Sequence, residues 1–115
     1  MNLSKNNNKE ILNNEERERY KRHLSLKEFG EESQIRLKKS SVIFIGAGGL
    51  GSSAIMYIAA AGMGTIGIAD DDRVEISNLQ RQVIHSTSEI GKYKTDSAKK
   101  RVKDLNPSLQ SENLY

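Results

Sequence analysis

Cysteine is absent from the 115 residues, so this stretch carries no disulfide, no thiolate zinc site and no catalytic thiol. Any thioester chemistry lies elsewhere. A long hydrophobic run is also missing. The longest candidate, Ala54 to Ala61, falls far short of the ~20 apolar residues that a bilayer span needs, and it reads as a buried helix. No basic region followed by an apolar core opens the chain, so a secretory signal is not expected; the location implied is the cytoplasm or an organelle interior such as the plastid stroma. Nor does one sign of charge dominate. Eighteen Lys and Arg against fifteen Asp and Glu leave a net charge of +3. The lysines at 38–39, 92–94 and 99–103 are scattered among acids, not gathered on one face with aromatics between them, so neither nucleic acid nor membrane is an expected partner.

What remains is an ordinary soluble composition, 36% hydrophobic and 29% charged with one proline, in a chain of one-domain length able to bury about two-thirds of its unfolded surface. Residues 1–14, rich in Asn and Lys, have little apolar surface to offset ordering entropy and read as a disordered tail. Residues 15–40 read as an N-terminal helical segment. Glu15 to Leu26 places Tyr20 and Leu24 along one side of an amphipathic helix, Gly30 breaks it, and Glu32 to Lys39 forms a second, shorter helix. From residue 41 the pattern changes. Val42-Ile43-Phe44-Ile45 is a continuous apolar run closed by Gly46, as expected of a parallel strand covered on both faces. A helix from about Leu50 to Ala61 ends at Gly62 and Gly64. Thr65 to Ala69 gives a second strand with Asp70 at its carboxyl end, and the three elements make one right-handed crossover. Arg73 to Ser88 reads as an irregular polar connection, and Lys92 to Leu105 as a helix stopped by Asn106-Pro107. Residues 108–115 read either as the opening of a third strand or, from Glu112, as the remnant of a protease-cleavage tag. The fold expected is α/β: a Rossmann-like parallel sheet with helices on both faces, preceded by a short helical segment. Because sheets usually hold five or six strands, two or three leave much apolar surface uncovered, and the chain is expected to be the truncated, N-terminal part of a longer protein.

The chemistry concentrates at Gly46-Ala47-Gly48-Gly49-Leu50-Gly51, a G-x-G-x-x-G run between a strand and a helix. Gly46 permits the tight turn, Gly48 and Gly49 leave backbone N–H groups unshielded, and Gly51 lets helix and strand pack closely. Free amides and the positive end of the helix dipole favour a phosphate there. Asp70 lies nineteen positions after Gly51, where a carboxylate accepts hydrogen bonds from ribose hydroxyls. An NAD or FAD module needs only Gly46, Gly48, Gly51 and Asp70, so at this point it stands level with other nucleotide sites. Asp71 and Asp72 read equally as a solvated turn. The stretch Ser77-Asn78-Leu79-Gln80-Arg81-Gln82, followed by Lys94, separates the readings. A triphosphate that loses pyrophosphate builds charge on its leaving group, and Arg81 and Lys94 are suited to meet it.

With these residues the chain resembles the N-terminal part of the adenylating domain of ubiquitin-activating enzymes and their bacterial relatives MoeB and ThiF. The resemblance rests on RYKRH (Arg19 to His23), GAGGLGSS (Gly46 to Ser53), AGMGTIGIADDDRVEISNLQRQ (Ala61 to Gln82), GKYK (Gly91 to Lys94) and LNP (Leu105 to Pro107), in the family's order. It implies ATP as cofactor, with Gly49 and its neighbours on the phosphates, Asp70 on the ribose, and Asp72, Asn78, Arg81 and Lys94 around the triphosphate while Ser77 helps to hold the loop. Arg22 resembles an arginine that reaches into the partner subunit's site of a homodimer. The implied reaction is adenylation of the C-terminal glycine of a ubiquitin-like sulfur-carrier protein, of the molybdopterin or thiamine type. The family's Mg²⁺-binding aspartate, its Cys-x-x-Cys zinc pairs and its catalytic cysteine have no counterpart within these residues, so no metal ligand is expected here and the chain by itself is expected to be inactive. The third reading is a partner subunit that kept the fold and lost the chemistry; Arg22, Arg81 and Lys94 argue against it.

Overall fold

Asn13 and Glu16 open the first described helix with a reciprocal cap. The Asn13 side chain accepts from the Glu16 N–H at 2.8 Å, and Glu16 Oε1 accepts from the Asn13 N–H at 3.0 Å, satisfying two donors that a helix start leaves unpaired. This computed structural model describes residues 11–114, with side chains as far as Leu109. Helix α1 (Asn14–Arg19) is followed by α2 (Lys21–Leu24), α3 (Gly30–Lys39), β1 (Ser41–Ile45), α4 (Leu50–Ala61), β2 (Thr65–Ala69), two 3₁₀ turns (Ile76–Asn78 and Thr87–Glu89), α5 (Lys94–Leu105) and β3 (Gln110–Leu114).

The expected tail at residues 1–14 needs correction at its end: Leu12 is buried and Asn13 is a cap, while residues 1–10 lie outside the described residues. The single helix expected over 15–26 is two. It breaks at Tyr20, whose backbone leaves helical geometry as its ring sinks against Gly62 and its hydroxyl accepts from Asn106 Nδ2 at 2.7 Å.

The sheet is parallel throughout, in the order β1-β2-β3, with Ser41 opposite Thr65 and Thr65 opposite Gln110. Residues 110–114 therefore form a third strand. Val42, Phe44, Ile66 and Ile68 pack with Ile55, Ala59, Ala98 and Val102 of α4 and α5 into one core. On the opposite face Ile43 is 51% and Ile45 81% exposed. The expectation that β1 is covered on both faces is thus not met among the described residues. A hydrophobic run reports that a strand wants cover, not that it has it.

Two poles follow from this topology. At the amino ends of the strands, α1–α3 pack below α4 and α5: Gln34 Nε2 donates to the Ala61 carbonyl at 2.9 Å, His23 Nδ1 donates to Gln34 Oε1 at 2.9 Å, and the buried Asn106 also donates to the Ala59 carbonyl at 2.9 Å. Gly62 has φ 103°, and a Cβ there would lie 2.5 Å from Gln34 Nε2, so glycine is required twice over. At the carboxyl ends lies the glycine turn.

Candidate functional site

The turn leaves β1 at Gly46 (φ 104°) and enters α4 through Gly49 (φ 53°, ψ −127°), conformations open to glycine and strained for other residues. Gly46 N–H donates to the Ala69 carbonyl at 2.7 Å, holding the turn over the end of β2. Gly51 serves packing: a Cβ would lie 2.6 Å from the Gly46 carbonyl oxygen. Gly48 faces Gln82, and a Cβ there would lie 2.8 Å from Gln82 Nε2. Gln82 is itself buried, with its Oε1 unpartnered among the described residues.

Asp70 stands directly beside the turn. Its Oδ2 accepts from the Ala47 N–H at 2.8 Å and its Oδ1 from the Asp72 N–H at 2.8 Å, which fixes the carboxylate plane. Asp70, Asp71 and Asp72 bring carboxylate oxygens within 4.8 Å of one another. Both oxygens of Asp70 are already engaged, and Asp72 Oδ2 faces Lys94 Nζ at 4.0 Å. The trio therefore suits an ion pair and a turn better than a cation.

The connection from Asp72 to Tyr93 is irregular apart from its two 3₁₀ turns but is tied down along its length. Val74 exchanges backbone hydrogen bonds with Lys92 and Gly91, both at 2.8 Å, and Lys94 N–H donates to the Asp72 carbonyl at 2.9 Å. Arg73 stacks over the Tyr93 ring at 4.1 Å and donates to the Gly91 carbonyl. Ile84 N–H donates to the buried Ser52 Oγ at 3.0 Å. Buried Glu89 pairs with Lys92 at 2.9 Å and Lys100 at 2.8 Å; hydrogen bonds from Lys100 and then Lys92 hold its carboxyl below the usual range.

These ties bring Asp72, Arg73, Glu75, Asn78 and Lys94 around a cavity of about 180 Å³. Asn78 Oδ1 accepts from the Glu75 N–H at 2.9 Å. Lys94 is the first residue of α5 and its side chain is only 9% exposed. A buried cation at a helix amino terminus opposes both solvation and the macrodipole. An anion in the cavity answers both.

The remaining expected site residues lie apart. Ser77 and Arg81 are exposed and do not line the cavity; Arg81 donates to the Ser77 carbonyl at 3.1 Å, folding its guanidinium back along its own turn. Arg22, exposed on α2, belongs to the amino-end pole, across the sheet from the glycine turn.

Arg73, Glu75 and His85 have no local signal that marks them as site residues, and Gln82 is marked only as the end of the 77–82 stretch. His85 is buried. Its Nε2 contacts the Ala47 carbonyl at 3.0 Å and its Nδ1 contacts Ser97 Oγ at 2.7 Å. A carbonyl only accepts, so Nε2 carries the proton and Nδ1 of the neutral ring accepts a hydrogen bond from the Ser97 hydroxyl. Burial, then the Lys94 charge, push His85 toward the neutral form against the raising effect of the Ala47 hydrogen bond and the Asp70 and Glu89 charges.

Comparison with known proteins places this geometry in context. The ThiF family's sequence pattern matches residues 20–114. The chain is 56% identical over 96 residues to the adenylyltransferase and sulfurtransferase UBA4 of Scheffersomyces stipitis, covering 83% of the chain and 22% of that protein. It is 50% identical over 94 residues to a protein of Porphyra purpurea named as a probable molybdopterin-synthase adenylyltransferase, covering 82% of the chain and 25% of that protein. The chain thus spans about a quarter or less of the length of these curated relatives. Among solved structures, that of Escherichia coli MccB with ATP superposes with a TM-score of 0.78 at 32% identity, over 89% of this chain and 31% of that one.

Proposed function

The chain belongs to the ThiF family, and on that premise we propose that it forms the nucleotide-binding part of an adenylyltransferase that uses ATP to activate the C-terminal glycine of a ubiquitin-like sulfur-carrier protein. The carrier's carboxylate oxygen attacks the α-phosphorus, the bond from that phosphorus to the bridging oxygen of the β-phosphate breaks, and acyl-adenylate and pyrophosphate result. The glycine-turn amides hold phosphate oxygens, Asp70 accepts from the ribose hydroxyls, and Lys94 with Asn78 meets the charge that grows on the departing pyrophosphate. Arg81 and Ser77 do not line the cavity in the ligand-free protein; Arg81 takes part in this reading by leaving its bond to the Ser77 carbonyl and bringing its planar fork onto a phosphate. Mg²⁺ would supply further charge neutralisation in such a reaction, and no ligand for it or for zinc is assigned among the residues named here.

The observation that carries this reading is the buried Lys94 beside the cavity at the turn-bearing pole. A hydride-transferring cofactor offers only a pyrophosphate bridge, already served by the turn, and leaves that cation without a purpose. Arg22 fits the same reading in trans: at the far pole of its own copy, it meets a glycine turn only in a second copy, so the working unit is a homodimer.

The test is ligand protection of the protein as its gene encodes it. At a hundredfold excess over Kd, ATP with Mg²⁺ is expected to stabilise by about 2.7 kcal/mol, and NADH by nothing measurable. Carrier protein is then expected to be required for exchange of labelled pyrophosphate into ATP. Protection by NADH in place of ATP would overturn the reading in favour of a redox module, and ATP binding without exchange would favour an inactive partner subunit.

A further inference from the structure

The Ala47 peptide unit, at the centre of the glycine turn, is gripped on both sides. Its N–H donates to Asp70 Oδ2 at 2.8 Å, and its carbonyl accepts from His85 Nε2 at 3.0 Å. His85 in turn accepts the Ser97 hydroxyl at 2.7 Å, and Ser97 lies on α5 one turn beyond Lys94. Ala47, Ser97 and His85 are all buried, so no water competes for these bonds. The residues that precede and follow Ala47 are glycines, which impose little conformation of their own. Without an external grip the turn is free to swing its amides away from a ligand.

We infer that His85 is a positioning residue that locks the glycine turn to the Lys94-bearing helix, holding the phosphate-facing amides and the Lys94 ammonium at one fixed separation. The inference rests on the adenylation reading for what the two halves hold, but the lock itself is a property of the fold. The neutral ring is the working form. The Ala47 carbonyl, which only accepts, selects the tautomer with its proton on Nε2, and the Ser97 hydroxyl holds the ring in that orientation by donating a hydrogen bond to Nδ1. Asp70 completes the clamp from β2, and the ribose-facing carboxylate and the phosphate-facing turn thereby share one peptide. The charged groups facing His85 are Lys94 of α5, Asp70 at the end of β2, and Glu89 of the second 3₁₀ turn.

Three variants test this. His85→Phe keeps the bulk and removes both bonds; His85→Gln restores an N–H for the Ala47 carbonyl; Ser97→Ala removes the hydrogen bond that orients the ring from α5. Two readouts apply to each: the Kd for ATP with Mg²⁺ by calorimetry, and the amide hydrogen-exchange rate of Ala47 in nucleotide-free protein. Misplacing a binding group by about 1 Å is costly enough that His85→Phe is expected to weaken ATP at least about tenfold and to speed Ala47 exchange comparably. His85→Gln is expected to recover most of both losses, and Ser97→Ala to fall between. If His85→Phe fails to fold, the His85→Gln and Ser97→Ala pair decides alone: both near wild type in exchange and affinity would overturn the lock. So would a His85→Gln no better than a folded His85→Phe. Should wild-type protein not bind ATP, the adenylation reading fails while the exchange rates still judge the lock.

Discussion

Replacing Lys94 by methionine separates a ligand-binding cation from a structural one, because the structure assigns the two roles opposite signs. Lys94→Met keeps the apolar stem that α5 buries and removes only the ammonium. In the absence of ligand that ammonium is poorly compensated: its described ion pair, to Asp72 Oδ2, is at 4.0 Å, and Asp72 is 72% exposed and needs no partner. Its place at the first position of α5 sets it against the helix dipole. Loss of such a group is expected to leave stability unchanged or to raise it by up to about 1 kcal/mol, a rise in Tm of at most about 8 °C for a domain of this size. For the reaction the sign reverses. A unit charge ~4 Å from a phosphoryl oxygen, in surroundings of effective dielectric ~20, is worth about 4 kcal/mol. That corresponds to about 10³ in rate if the interaction is made chiefly as the leaving group charges. Thermal unfolding of the ligand-free protein and carrier-dependent pyrophosphate exchange measure the two arms. A fall in stability of ~2 kcal/mol or more would show that Lys94 is a structural cation, and exchange within about threefold of wild type would remove it from the site; either result refutes the reasoning.

Four other perturbations follow from the same geometry. Gly51→Ala sets a Cβ 2.6 Å from the Gly46 carbonyl oxygen, which forces helix and turn apart; a loss of about 1–3 kcal/mol in denaturant unfolding is expected, with weaker ATP binding by calorimetry. Asn106→Ala strands the Tyr20 hydroxyl and the Ala59 carbonyl, each at a cost of about 1–3 kcal/mol, and trypsin is expected to cut at Arg17 and Arg19 well before the rest of the domain. Unfolding followed against pH is expected to show two acid limbs. His85, held neutral by burial, contributes stability that is present above pH 6.5 and lost as pH falls through its lowered pKa; Glu89, held ionised by Lys100 and Lys92, contributes stability present above pH 4.5 and lost below it, so Glu89→Gln is expected to flatten the second limb alone. Mixed dimers carrying Arg22→Ala in one copy and Lys94→Met in the other are expected to keep one intact site and about half of the wild-type activity, because a role in trans puts both lesions in the same site; loss of nearly all activity would place Arg22 in cis, and full activity would exclude any role for it.

How far the sequence reveals this arrangement depends on how local each signal is. The limits of α4 and β2 are legible because the glycines at 46–51, 62 and 64 punctuate an apolar pattern within a few residues of each boundary. The break at Tyr20 is not legible, since its cause is a hydrogen bond to Asn106, 86 positions away. His85 is hidden for the same reason. Between Ile84 and Ser86 it looks like any core histidine, and only the fold brings Ala47 and Ser97 to its two nitrogens. Lys94 is intermediate: its charge is plain in the sequence, its burial is not. Burial is what makes it informative, because a solvated lysine at a helix start breaks one weak rule and a buried one breaks two.

The departures from locally favoured structure are not spread evenly over the two poles. At the amino-end pole each has a partner that accounts for it: Gly62 makes room for Tyr20 and Gln34, and buried Asn106 is bonded to Tyr20, Ala59 and Ser108. At the carboxyl-end pole they are left open. Gly46 and Gly49 hold positive φ with no described neighbour within 4 Å of a Cβ, Gln82 Oε1 is buried without a partner among the described residues, and Lys94 is buried with a distant one. Folding alone tolerates such features but does not select for them. An amide-lined turn, a free acceptor and a buried cation with only a distant carboxylate at one end of a parallel sheet are complementary to an anion with polar substituents. A nucleoside triphosphate satisfies all three at once, whereas a packing role for the glycines would leave the lysine unexplained.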